Sequence, residues 1–366
     1  MTTESLNGPL EISADTWWVG RREGSLLERN IFLRSFRQNG KPVVNMLIDP
    51  GPPADLMTLT KKVGQVIGNL RNVNLVFANH QDPDVAYNAG YLQKLNPNIS
   101  VVCSEDTWRL IRFYDLDPKR YYATERFKRQ ALNLTTGHEL RFVPTPFCHF
   151  RGATMLYDLE SRILFTGDLF GGLSYVPELW ADERHWEGMK AFHQIYMPVQ
   201  EAMALAVRSI RALDPKPVML APQHGALITG GWIDFFLDRL ENLPVGLNLL
   251  LDSQQKDNYL AAMNELLMEL GRGVGAGPIA QAMKVFGEDN SISSVIHADA
   301  KGVRDIRIDP STAIDIFIRR LHELIPEQSD LVEMATVKVL LGRNIPLPDA
   351  MASIQGAASP EFLEID

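Results

Sequence analysis

Four apolar, strand-like runs in this 366-residue chain each lead directly to a histidine or an aspartate. The run from Val73 to Ala78 is followed by His80, Asp82 and Asp84, RFVPTPF leads through Cys148 to His149, ILFTG leads to Asp168, and VMLAPQ leads to His224. In an α/β fold the C-terminal edge of a sheet is where functional groups gather, because loops there vary while the sheet holds their roots. The sequence therefore asks for a fold in which strand ends scattered from position 80 to position 224 meet at one place.

The remaining pattern agrees with a layered α/β protein. Near the start, TWWVG, IFLRSFRQ and PVVNMLIDPG are β-branched and aromatic runs, and Asn39-Gly40 between the last two is a hairpin signal. Pro53 opens a segment whose apolar residues, from Leu56 to Leu70, recur with a helical period. Strand (Val73 to Ala78), helix (Ala86 to Leu95), strand (Ile99 to Cys103) and helix (Ser104 to Tyr114, with Ser104 as N-cap) follow. Three strand-like runs are expected between Leu140 and Leu169, with LESR as a tight connection, then one long helix from about Ala191 to Leu213 and a last strand before His224. Helix-covered twin sheets fit this order best.

From about residue 250 the composition turns helical, in NYLAAMNELLMEL, PSTAIDIFIRRLHELI and SDLVEMATVKVLLGR. The expected organisation is a first domain over 1–250 and a mainly helical second domain over 251–366. The glycine run GRGVGAG at 271–277 follows no strand, which fails the context test for a dinucleotide loop and reads as a helix stop and turn.

Composition narrows the function classes. With 45% hydrophobic and 22% charged residues the chain can bury a real core, which excludes a disordered or collagen-like protein. Thirty-six basic against 45 acidic residues give a net charge of −9 without single-sign runs, so no nucleic-acid partner is expected. Neither a signal peptide nor an apolar run long enough for a membrane span is seen, and a cytoplasmic protein is expected. Two cysteines, Cys103 and Cys148, make neither a disulfide framework nor a four-sulfur metal site. Any metal is then held by imidazole and carboxylate.

Taken alone, ANHQDPD reads equally as a loop histidine followed by helix-capping aspartates. Joined with His149, Asp168 and His224 it makes three imidazoles and three carboxylates, a set suited to iron, zinc or manganese. Six ligands are too many for one ion. They can split three and three, with one carboxylate shared by two ions roughly 3.5 to 4 Å apart. A carboxylate in place of an imidazole at Asp82 favours redox-active iron over zinc. His185, His193 and Glu183 read as surface or helix-face residues, and Cys148 as a small packed side chain.

The words around these residues resemble the flavodiiron proteins, a branch of the metallo-β-lactamase fold. DTWWVG, MLIDPG, ANHQDPD, VVCSED, FVPTPFCH, ILFTGDLFG, IYMPV and MLAPQHG occur in the family's order across roughly residues 10 to 235. The resemblance implies an αββα sandwich for the first domain, to which the chain adds the mainly helical C-terminal domain read from its composition. It implies two oxo- or hydroxo-bridged irons, with His80, Asp82 and His149 on one, Asp84 and His224 on the other, and Asp168 between them. Two positions depart from the family: Asp82 stands where glutamate is usual, and Val85 where a further histidine is frequent. No Ser/Thr/Gly-rich flavin-phosphate loop follows a strand after residue 240, so no flavodoxin-like domain and no internal electron donor are expected.

The function that follows is a non-haem diiron protein binding dioxygen or nitric oxide, either a gas sensor signalling to a partner or a reductase served by an external donor. Homodimer formation is compatible with it. The alternative is a dinuclear zinc hydrolase of the same fold, disfavoured because its H-x-H-x-D-H pattern lacks histidine here at both 82 and 85. A third class is a scaffold with a degenerate site and an interacting tail.

Overall fold

Alternation of side chains along each strand decides what lies between the layers of this protein. The structure, a computed structural model, describes residues 6–251 and 253–348. The chain divides between Val245 and Gly246 into two compact units. In the first, β1 (Leu10–Ser13), β2 (Thr16–Trp18), β3 (Phe32–Gln38), β4 (Lys41–Ile48), β5 (Leu75–Phe77), β6 (Ser100–Cys103) and β7 (Tyr121–Ala123) form one sheet in that order. A second sheet is built from β8 (Ala131–Asn133), β9 (Glu139–Pro144), β10 (Thr154–Asp158), β11 (Ile163–Gly167), β12 (Met219–Pro222) and β13 (Ile228–Thr229), again in sequence order across the sheet. The helices of this unit are α1 (Leu56–Ile67), α2 (Pro83–Ala86), α3 (Asn88–Leu95), α4 (Glu105–Ile111), α5 (Trp186–Tyr196), α6 (Gln200–Arg211) and α7 (Trp232–Glu241).

Successive residues of one strand belong to different cores, as a period of two requires. Phe32, Met46, Ile48, Phe77 and Val102 pack with Leu140, Phe142, Leu156 and Phe165 of the second sheet. Their neighbours Leu33, Leu47, Val76, Val101 and Cys103 pack with Leu59 and Val63 of α1, Ala89 and Leu92 of α3 and Ile111 of α4. Each such buried side chain contributes roughly 1.5–3 kcal/mol, so a register slip by one residue in β5 would forfeit both cores at once. The Asn39-Gly40 hairpin forms as expected, with Gln38 paired to Lys41 and positive φ of 53° and 78° at the two turn residues.

The single long helix expected from Ala191 to Leu213 is instead α5 and α6. Pro198 breaks it: the residue before a proline is driven out of helical conformation, and Met197 is extended, with φ −81° and ψ 132°.

The second unit holds α8 (Ser253–Val274), α9 (Ala276–Glu288), α10 (Asn290–Ser293), α11 (Pro310–Leu324) and α12 (Ser329–Gly342), with a hairpin of β14 (Ile296–Asp299) and β15 (Gly302–Ile306) that the helical composition concealed. The glycine run stops α8 as expected, at Gly275 with φ 87°. Phe286 of α9 and Phe317 of α11 meet at 5.1 Å in its core. Residues 349–366 of the expected second domain lie outside the described residues. Among the described residues no helix is long and apolar enough to cross a membrane.

Candidate metal centre

Each loop that carries a candidate ligand is fixed by hydrogen bonds made before the ligand is reached. His149 follows β9 in a loop held by Thr145 N–H donating to the Ala153 carbonyl at 2.9 Å, and by the Ser104 hydroxyl donating to the Gly152 carbonyl at 2.6 Å. The same hydroxyl accepts from Thr107 N–H at the start of α4, so the expected N-cap is also an anchor of the His149 loop. At the end of β5, Pro83 starts α2, and Asp82 occupies the N-cap position with its carboxylate free of any capping bond. Gln223, just ahead of His224, donates from Nε2 to the Asp84 carbonyl at 3.1 Å and ties the two loops together. Gly225 lacks the Cβ that would come within 2.8 Å of the Gly172 nitrogen, which lets the His224 turn lie against the loop after Asp168.

These roots bring one atom each of His80, Asp82, His149 and Asp168 within 4.8 Å of one another. His149 Nε2 lies 3.1 Å from both Asp82 Oδ2 and Asp168 Oδ2, and His80 Nε2 lies 3.5 Å from the same two oxygens. On the other side of Asp168, His224 Nε2 is 3.8 Å from Oδ1 and 3.3 Å from Asp84 Oδ2. The other five residues singled out in the sequence thus gather about the carboxylate of the sixth, Asp168, with His80, His149 and His224 facing it directly, Asp82 paired to the first two and Asp84 to the third.

The donor chemistry suits metal ions. His224 donates its Nδ1–H to the Glu28 carbonyl at 3.0 Å, which leaves Nε2 with its lone pair toward the cluster. His80 Nε2 and Asp168 Oδ1 are buried and have no hydrogen-bond partner, an arrangement that costs stability unless something charged completes it. Two ligands each about 2.1 Å from a common ion stand roughly 3.0 to 3.4 Å apart, close to the spacings here.

Without an ion, His149 stands as an imidazolium between two carboxylates. Burial disfavours the charge on His149, but hydrogen bonds to Asp168 and Asp82 outweigh it and push its pKa up to about 10. Burial likewise opposes ionisation of Asp168, yet the fields of His80, His149 and His224 bring it down to about 2. Asp82 resists burial in the same way and falls well below the usual carboxylate range through His149 and His80. Metal ions take the place of those protons when they bind.

Several residues without a ligand role shape the site. Val85 is fully buried in the helix-side core, so no group at this position faces the cluster. His193, read from sequence as a surface or helix-face residue, lies on α5 but is fully buried. It donates Nδ1–H to the Met189 carbonyl and accepts the Phe170 N–H at Nε2, which pins the loop after Asp168, and burial lowers its pKa to about 4. His185 caps its own helical turn through Asp182, and Glu183 is exposed. Cys148 is buried as expected, its thiol pushed up to about 12 by that burial.

Sequence reading missed Gln81, whose Nε2 donates to Asp82 Oδ1 at 2.6 Å and turns Oδ2 toward the histidines. It also missed the wall of Phe192 and Tyr196, whose rings lie 5.3 Å from His224 and 6.2 Å from His149. Their spacing of four on α5 was the available signal.

The family described as ODP family beta lactamase matches residues 27–225. Among curated proteins, a putative diflavin flavoprotein A 2 of Synechocystis is 28% identical over 167 residues, covering 45% of this chain and 28% of that protein. An anaerobic nitric oxide reductase flavorubredoxin of Pectobacterium carotovorum is 23% identical, covering 70% of this chain and 45% of its own length. The chain therefore spans less than half of either relative. A solved structure of a peroxy diiron species of the chemotaxis sensor ODP is 25% identical with a TM-score of 0.55, and the match covers 67% of this chain and 97% of that one. The sandwich is of the metallo-β-lactamase type.

Proposed function

Because the chain belongs to the ODP family of β-lactamase-fold proteins, we propose that its first 250 residues hold a non-haem diiron centre that binds dioxygen or nitric oxide. His80, Asp82 and His149 hold one iron, Asp84 and His224 the other, and Asp168 is shared. The observation that carries this reading is the division of labour at Asp168: Oδ2 faces one group of ligands and Oδ1 the other. A ferrous pair held there would supply the electrons for gas chemistry. The chain's own part is to fix the ligands, offset cationic charge with three carboxylates, and set Phe192 and Tyr196 beside two of the imidazoles.

We favour a sensor, with residues 251–366 as the unit that passes gas occupancy to a partner, over a reductase served by an outside donor. The support is that the match covers nearly all of the chemotaxis sensor ODP but under half of the two flavoprotein relatives named above. Two buried free cysteines suit a reducing compartment, and the reading sets the protein in the cytoplasm.

The test is anaerobic purification with metal quantification, followed by visible spectroscopy as oxygen or nitric oxide is admitted. Two irons per chain and a spectral change are expected. Stoichiometric zinc with no change on exposure to gas would overturn the reading, and sustained gas consumption with a suitable reductase would replace sensor by reductase.

A further inference from the structure

The carboxamide of Asn79 takes part in a run of hydrogen bonds in which every donor and acceptor is decided by its neighbour. Asn79 is buried beside His80 at the end of β5. One atom of the carboxamide lies 2.7 Å from the Thr154 carbonyl of β10; a carbonyl only accepts, so this atom is the nitrogen. The other is then Oδ1, which only accepts, and it faces His80 Nδ1 at 3.1 Å. His80 must carry its proton on Nδ1. Its Nε2, the buried atom with no hydrogen-bond partner, is thereby the ring nitrogen left facing Asp82 and Asp168, and the one whose lone pair an ion would take once its proton is lost.

Backbone hydrogen bonds fix the place from which this carboxamide reaches out. Asn79 N–H donates to Asp49 Oδ1 at 2.8 Å, and the Asn79 carbonyl accepts from Thr154 N–H at 3.1 Å. Space is as closely set as polarity: a Cβ on Gly167, the residue before Asp168, would stand 2.1 Å from the Asn79 carboxamide. The absence of a side chain at 167 is what lets Asn79 reach from the first sheet to the second.

Resting on the diiron reading above, we propose that Asn79 is a positioning residue for the first ion. It selects Nε2 of His80 as the ligand atom, and through Thr154 it ties the loop of His80, Asp82 and Asp84 to the sheet that carries His149, Asp168 and His224.

The test loads the wild-type chain with zinc, as a diamagnetic probe, and records long-range proton–nitrogen spectra of the histidine side chains. A slowly exchanging Nδ1–H and a metal-bound Nε2 on His80 are expected; coordination through Nδ1 overturns the inference while leaving the metal centre standing. Two variants give the second readout. Asn79→Ala should weaken zinc binding at the first group by about 10- to 100-fold, as loss of a partner to a ligating histidine does, and should expose Nδ1–H to exchange. Asn79→Asp retains the acceptor for His80 but not the donor to Thr154, so it should lower thermal stability yet restore the His80 signature and most of the affinity. Equal loss of affinity in both variants, in step with their loss of stability, reduces Asn79 to a structural residue and overturns the inference. A wild-type chain that takes up neither zinc nor iron overturns the metal centre itself, and the inference with it.

Discussion

Around Oδ2 of Asp168 stand two imidazoles and a carboxylate, with nitrogens at 3.1 and 3.5 Å, whereas Oδ1 looks across 3.8 Å to the single imidazole of His224 with Asp84 beyond it. The first group is supported on every side: Asn79 orients His80, Gln81 turns Asp82, and Ser104 anchors the loop of His149. In the second group His224 has its partner at Glu28, while Asp84 is tied by Gln223 through its backbone carbonyl and its carboxylate faces His224 alone among the candidate ligand histidines. Val85 adds nothing to it. A preorganised ligand set loses less freedom when it binds, so the first ion should bind more tightly than the second and survive chelation longer.

The largest expected effect comes from the residue common to both groups. Asp168→Asn retains the shape of the side chain but removes the charge and one acceptor, and iron analysis of the anaerobically purified variant should fall from two per chain to well under one. Retention of a full first ion would show that the two groups are more independent than their geometry around Asp168 implies. Next in size is the contrast between His224→Ala and His149→Ala. The former should leave about one ion per chain, held with near wild-type affinity in a competition assay. The latter should weaken the first ion sharply and, because Asp168 is then held by fewer partners, loosen the second as well. Identical metal loss in the two variants would remove the asymmetry.

A smaller effect is expected at Val85, where the family often carries a histidine. Val85→His puts an imidazole into a fully buried apolar position. Crowding and an unpaired polar group there should cost about 2 kcal/mol of stability, read by denaturant unfolding, with no gain in metal affinity. A tighter second ion would mean that the loop can turn position 85 toward the cluster.

The sequence displayed the sandwich more plainly than the means of holding its site. Strand ends and the candidate ligands were legible because both follow from local pattern: a run of apolar residues, then a polar group with metal-binding chemistry. The Asn39-Gly40 turn and the Ser104 cap were legible for the same reason, each being a signal complete within a few residues. The break between α5 and α6 was also local, since Pro198 stood in the middle of the expected helix, but the apolar period on either side masked it. What no local pattern carried was the support of the ligands. The contact of Asn79 with Thr154 spans 75 positions, and that of His224 with Glu28 spans 196. A buried His193 looks the same in sequence as an exposed one. Such roles depend on which strands become neighbours, and only the assembled sheets decide that.

The smallest predicted effect is on pH, and its sign differs between the metal-free and loaded chain. His149 is raised from 6.5 to about 10 in the folded metal-free chain, so its ion pairs add stability that is fully present below pH 6.5 and fades as the pH climbs to about 10. Asp168 is lowered from 3.8 to about 2, so its share is complete above pH 3.8 and disappears as the pH falls to about 2. Both are at full strength only between about pH 4 and 6.5. The difference in melting temperature between metal-free wild type and His149→Ala should therefore be greatest in that window and shrink steadily toward pH 10. Metal binding runs the other way, because His149 must lose a proton to become a ligand: affinity should rise over the interval in which the ion pairs weaken, with protons released on loading. A melting difference that does not change from pH 5 to pH 10, or zinc uptake that releases no proton at pH 7, would mean that His149 is neutral in the metal-free chain and that the first group is held ready by its hydrogen bonds alone.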